Sequence, residues 1–209
     1  MHETIAGDVA RRIRCVLLDV DGVLTDGGVY VGETDDGRAV ELKRFDIIDN
    51  VGVHMLKRAG ITVAIVSGRV SPATRVRAEE LGIECHQQEG GYKLEAAADL
   101  VARHALGWDE VAFLGDDIPD VAILRRVGLP VVVANASAEA RAVAAYQTRR
   151  GGGRGAVREL AEVLLRARGD WNRLMEEYLA ERDPERAGAS GAAGASRAAG
   201  AKLPEATGA

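Results

Sequence analysis

Two aspartates two residues apart, Asp19 and Asp21, head the segment Asp19-Val20-Asp21-Gly22-Val23-Leu24-Thr25-Asp26. Crowding two carboxylates is costly unless a cation or a reaction uses them. They follow the apolar run Cys15-Val16-Leu17-Leu18, and a short apolar run closed by a glycine turn reads as a buried strand. Both carboxylates therefore emerge at the C-terminal end of a strand, where open α/β sheets bind ligands. A second acidic group, Gly115-Asp116-Asp117-Ile118-Pro119-Asp120, follows the apolar residues 111–114. A helix cap accounts for one or two of its three carboxylates, and a hard cation such as Mg²⁺, bound by oxygens, accounts for the rest. Ser67-Gly68-Arg69 follows the run 62–66, and a small hydroxyl with free amides at a strand end suits phosphate oxygens. Lys93 opens a helix after Glu89-Gly90-Gly91, where the helix dipole opposes a cation, so an anionic ligand nearby is expected, a solvated lysine being the alternative.

These positions require a scaffold that delivers them to one edge. Strand-like runs at 15–20, 62–66, 84–87, 111–115 and 131–134 alternate with helical patterns at 47–59, 71–81, 93–104, 118–126 and 138–144. Ser71-Pro72 is a helix start, and Gly60, Gly82, Gly107 and Gly128 fall where helices should stop. Such alternation predicts an α/β fold, a Rossmann-like open parallel sheet with helices on both faces. Residues 28–32 and 39–43 flank Glu33-Thr34-Asp35-Asp36-Gly37 and read as a β-hairpin beside the first strand end. It is either an ordinary surface hairpin or a flap or oligomer contact. The expected organisation is an N-terminal extension at 1–13, one α/β domain at 14–168, a C-terminal helix at 169–182 and a disordered tail at 183–209 rich in Ala, Gly and Ser.

Hydrophobic residues make up 47% and charged residues 28% of the chain, ordinary for a soluble globular domain. A net charge of −5 argues against a general nucleic-acid binder. No run approaches membrane-spanning length and no signal-peptide core is evident, so no membrane association and a cytoplasmic location are expected. Cys15 and Cys85 read as reduced, buried thiols.

Asp-x-Asp-Gly-x-x-x-Asp, Ser-Gly-Arg, Lys and Gly-Asp-Asp-x-x-Asp, in this order, resemble the haloacid dehalogenase superfamily over residues 14–167. The resemblance implies that Asp19 is a nucleophile forming an aspartyl-phosphate and that Asp21 is the acid and base. It implies phosphoryl binding by Ser67 and Lys93, and Mg²⁺ held by Asp19, the Asp21 backbone carbonyl and Asp116, with Asp117 and Asp120 in support. Val23 to Gly27, the hairpin, Phe45-Asp46-Ile47-Ile48-Asp49 and residues 152–159 are similar to the 3-deoxy-D-manno-octulosonate 8-phosphate phosphatase subgroup. That subgroup lacks a large cap domain and forms homotetramers in which a neighbouring subunit helps to cover each site. The implied substrate is a small anionic sugar phosphate. Alternatives are a carboxylated sugar or nucleoside phosphate of specialised metabolism, a phosphomutase, or a non-catalytic oligomerisation module.

Asn50 and Glu89 depart from the subgroup, which commonly has glycine at both places. Asn50 is expected to tolerate left-handed backbone, and Glu89 to add negative charge near the site. Arg69 and Arg154 are the candidates for a substrate carboxylate, with Arg158 also considered; Arg75 and Arg77 read as a solvated helix face. The Gly-rich stretch 151–155 lacks the Lys-Ser/Thr of a P-loop. His54, His86 and His104 read as packing or surface residues, and Trp171 and Tyr178 as packing residues of the last helix.

Overall fold

The computed structural model describes residues 4–183. The expected tail beyond Asp183 lies outside the described residues. The elements in chain order are α1 Gly7–Arg12, β1 Cys15–Leu18, β2 Thr25–Glu33, β3 Ala39–Phe45, α2 Asp49–Arg58, β4 Thr62–Ser67, α3 Pro72–Leu81 and β5 Glu84–Gln87. They continue with α4 Lys93–Arg103, β6 Val111–Gly115, α5 Val121–Leu124, β7 Leu129–Val132, α6 Ala138–Val143, β8 Tyr146–Gln147, α7 Ala156–Arg168 and α8 Trp171–Ala180.

Six strands form one parallel sheet in the order β5-β4-β1-β6-β7-β8. From β1 the chain first adds strands on one side, β4 then β5, and afterwards on the other, β6 to β8. The reversal leaves a crevice at the C-terminal end of β1, between β4 and β6, and Asp19 is the next residue. Strands buried on both faces must be apolar throughout. β1 and β6 accordingly have no exposed side chain, with Leu17, Leu18, Phe113 and Leu114 among the largest buried groups. The helices are arranged as expected: α2 packs on α7 and α7 on α1, while α4, α5 and α6 form a second group.

Two separated motif segments meet where α2 crosses α7. Asp49 Oδ1 accepts a hydrogen bond from the Arg158 amide at 2.8 Å. A Cβ at Gly52 would lie 2.8 Å from the Arg158 Cα, so the crossing needs glycine there.

The N-terminal segment is more than an extension. α1 packs on α7, and Arg168 Nη1 donates to the Ile13 carbonyl at 2.8 Å. Ile5, Ala10 and Ile13 supply its buried face. The helix expected at 118–126 shrinks to a turn over Ile118–Asp120 followed by α5, because Asp120 turns its side chain back onto amides 116 and 117. Asn50 sits in the first turn of α2 rather than in left-handed backbone, and its side chain accepts from Arg77 Nη2. The chain divides into two compact units, one ending at Trp171 and one beginning at Asn172. In the second, Arg182 stacks 3.5 Å from the Tyr178 ring centroid. Among the described residues no helix is long and apolar enough to cross a membrane.

Candidate active site

After β1 the backbone makes an irregular turn over Val20–Leu24, tied by one buried hydroxyl. Thr25 Oγ1 donates to the Val20 carbonyl at 3.2 Å and accepts from the amides of Gly22 (3.3 Å) and Gly27 (3.2 Å). Gly22 takes φ +89°, and a Cβ there would fall 2.1 Å from Asp116 Oδ2. The Asp116 carboxylate therefore lies directly against the turn that carries Asp21. From the other side, a Cβ on Gly152 would fall 1.7 Å from the Gly22 carbonyl oxygen. The Gly-rich stretch 151–155 is thus a close backing for this turn.

Asp19, Asp116 and Asp120 place one carboxylate oxygen each within 4.8 Å of one another. Lys93 Nζ lies 2.7 Å from Asp19 Oδ1 and 2.8 Å from Asp120 Oδ1. Lys93 is therefore buried and paired with two carboxylates rather than solvated. Asp120 is fully committed, since its Oδ2 accepts from the Asp116 amide at 2.8 Å and the Asp117 amide at 3.3 Å. Burial, then the Asp120 charge, pushes Asp19 up to about 6; burial, then the Asp19 and Asp120 charges, pushes Asp116 up to about 8. Burial works against the Lys93 ammonium, but Asp19 and Asp120 outweigh it and hold Lys93 above the ordinary lysine range. Carboxylates crowded in this way are an oxygen-rich site that suits a divalent cation, and Asp19 and Asp116 retain oxygens for one.

A cavity of about 300 Å³ opens over these groups, lined by Asp19, Asp21, Ser67, Gly68, Arg69, Lys93, Asp116, Asp117 and Pro119. Ser67 is buried and its Oγ turns back to the Arg69 backbone, accepting from the amide at 3.2 Å. A larger cavity of about 570 Å³ lies elsewhere, between α7 and the turn after β8, and holds none of the clustered carboxylates.

A model of the haloacid dehalogenase-like hydrolases matches residues 87–158. The 3-deoxy-D-manno-octulosonate 8-phosphate phosphatase KdsC of Escherichia coli K12 is 41% identical over 160 residues, covering 77% of this chain and 83% of the relative. This chain belongs to the haloacid dehalogenase-like hydrolases. Among solved structures of the same kind, a probable YrbI family phosphatase from Pseudomonas syringae superposes with a TM-score of 0.75 at 42% identity, covering 83% of this chain and 98% of the other. The 3-deoxy-D-manno-octulosonate 8-phosphate phosphatase of Moraxella catarrhalis, crystallised with magnesium, phosphate and KDO, has a TM-score of 0.75 at 35% identity, covering 82% and 97%.

Within this haloacid dehalogenase-like framework, the structure gathers all the sequence-predicted residues except Arg154. Asp120 lies beneath the cavity on Lys93, and Arg154 is exposed in the Gly-rich stretch and does not line the cavity. Arg158 lines the larger cavity instead and stacks 5.2 Å from the Trp171 ring centroid. Arg77 is not solvated: it is buried over Phe45, 5.5 Å from the ring centroid, and donates to the Asp46 carbonyl at 3.2 Å. Glu89 is exposed and does not line the cavity. His86 and His104 hold the edge-strand Glu84, at 3.3 and 2.8 Å.

Sequence reasoning missed two residues of β3. Strand alternation puts Glu41, Lys43 and Phe45 on one face. Lys43 Nζ lies 2.8 Å from Asp21 Oδ1 and 3.1 Å from Oδ2, and its side chain has no exposed surface. Glu41 accepts from Ser71 Oγ at 2.6 Å and from Arg69 Nη2 at 2.8 Å. The opposite face of the hairpin leaves Tyr30 66% and Leu42 61% exposed, and the two are cross-strand partners. The apolar side is thus the outward one.

Proposed function

We propose that the chain is a Mg²⁺-dependent phosphomonoesterase for a small anionic sugar phosphate, 3-deoxy-D-manno-octulosonate 8-phosphate or a related keto-acid sugar phosphate. The observation that carries this is Asp19 at the switch point of the sheet, in contact with Lys93 and beside Asp116. Identity of 41% to KdsC supports the substrate class.

The residues divide the chemistry. An Asp19 oxygen attacks phosphorus and the ester P–O bond breaks, giving an aspartyl-phosphate. Asp21, on the same cavity wall, gives a proton to the departing alkoxide. It then takes a proton from the water that hydrolyses the aspartyl-phosphate. Ser67, the Gly68 and Arg69 backbone and Lys93 receive the phosphoryl oxygens. Asp19, Asp116 and the backbone at Asp21 would hold Mg²⁺, which supplies charge neutralisation between carboxylate and phosphoryl oxygens. Asp120 fixes Lys93 and the Asp116 amide, and Asp117 stands at the exposed rim.

With no large cap domain among the described residues, the open site is completed in a homotetramer, through the outward apolar face of the hairpin at Tyr30 and Leu42. Two free thiols, Cys15 and Cys85, support a cytoplasmic setting.

The test is phosphate release with Mg²⁺ from octulosonate 8-phosphate, nonulosonate 9-phosphate, hexose 6-phosphates and nucleoside monophosphates, for wild type and Asp19→Asn. The wild type should prefer a keto-acid sugar phosphate, and Asp19→Asn should be inactive. Equal turnover by both proteins overturns the mechanism; preference for a nucleotide overturns the substrate class.

A further inference from the structure

The hairpin strand β3 does more than stand beside the site. Lys43 Nζ bisects the Asp21 carboxylate, lies 3.4 Å from Thr74 Oγ1 and 3.6 Å from Glu41 Oε1. Glu41 reaches Arg69 and Ser71 of the loop that follows Ser67. Arg69 Nη1 returns to Asp21 Oδ2 at 3.4 Å. Asp21, Lys43, Glu41 and Arg69 therefore close a ring of alternating charge. It joins the acid/base residue, the hairpin and the phosphate loop.

Two observations separate this ring from ordinary hairpin packing. Holding a hairpin in place needs only an apolar contact, whereas a lysine removed from water is costly unless its partners answer the charge. Here the main partner is the one side chain of the site that must move a proton. Lys43 also does not line the cavity, so it acts through Asp21 rather than on the substrate.

Granted the phosphatase reading, on which this rests, we propose that Lys43 is a positioning residue that holds the Asp21 carboxyl group where it delivers its proton to the leaving oxygen. Glu41, through Arg69 and Ser71, ties the same strand to the phosphate loop. In the step concerned, the Asp19–phosphorus bond forms, the ester P–O bond breaks, and the Asp21 proton moves to the departing oxygen. The contribution of the ring is geometric: proton transfer requires the donor within hydrogen-bond reach of the leaving atom.

A leaving-group comparison tests this. A sugar alkoxide needs a proton to depart, whereas p-nitrophenolate does not. For Lys43→Met, kcat/KM on the best sugar phosphate should fall on the order of 100-fold, and on p-nitrophenyl phosphate less than about 3-fold. kcat/KM excludes the later hydrolysis of the aspartyl-phosphate, in which Asp21 serves both esters alike. The ratio of the two values is independent of how much of the preparation is folded, so partial unfolding does not blur the result. Lys43→Arg should restore most of the ratio. An equal fall on both esters, or no fall on either, overturns the role of Lys43. A wild type active on p-nitrophenyl phosphate and on other alkyl phosphates but not on octulosonate 8-phosphate would revise the substrate and leave this comparison intact. A wild type with no phosphatase activity would remove both.

Discussion

Asp49 offers the most quantitative check on the structure. It opens α2 with its side chain fully buried, one oxygen on the Arg158 amide and the other, Oδ2, without a partner among the described residues. Burial pushes its pKa from 3.8 up to about 6, and the Arg158 amide offsets this only in part. Below about pH 4 the group is protonated in both the folded and the unfolded chain. Between about 4 and 6 the unfolded chain loses that proton while the folded one keeps it. Stability therefore falls as pH rises through this window, and the loss is complete above about pH 6. Two pKa units correspond to about 3 kcal/mol. Asp49→Asn removes the titration and keeps an acceptor for the Arg158 amide. Urea denaturation of both proteins from pH 4 to 7 should show the difference, variant minus wild type, rising by about 3 kcal/mol across the window. Taking the difference cancels the titrations of Asp19 and Asp116, which both proteins share. A difference flat with pH would refute the reasoning: Asp49 would then be solvated or paired.

Two further outcomes follow from the site. Gly22→Ala brings a Cβ within 2.1 Å of Asp116 Oδ2 at φ +89°; calorimetric titration should show Mg²⁺ affinity reduced at least about tenfold, with about 1–2 kcal/mol lost from the fold through the left-handed backbone alone. Mg²⁺ at 100 times its Kd should stabilise the wild type by about 2.7 kcal/mol, seen as a rise in melting temperature, and EDTA should reverse it. Asp116→Asn should abolish that rise, and an undiminished rise would place the cation elsewhere.

Much of this was legible because the sheet is parallel and doubly covered. Continuous apolar runs mark β1, β4 and β6 without ambiguity, and the chemistry stands at their ends. β8 escaped because Tyr146–Gln147 is only two residues and half polar, with no run to detect. α1 escaped because it is only six residues long, with Val9 and Ala10 its sole apolar side chains and no period to detect. Glu41 and Lys43 escaped for a different reason. Alternation along β3 divides its residues into two faces but does not say which face is inward, and the usual assumption of apolar inside is inverted in this hairpin. Arg77 was misplaced by the same assumption, since its partners Phe45, Asp46 and Asn50 come from a distant part of the chain.

The stack of Asp116, Gly22 and Gly152 has a consequence for how this scaffold can change. Three chain segments meet there with room for no more than a hydrogen on each glycine Cα. A substitution at either glycine displaces the backbone that carries Asp21, so the floor of the site tolerates almost no variation. The rim is less constrained where it is exposed, at Tyr30 and Leu42 of the hairpin and at Val70 in the loop after Ser67. New substrates are therefore acquired from the walls, one side chain at a time, while the phosphoryl chemistry beneath stays fixed.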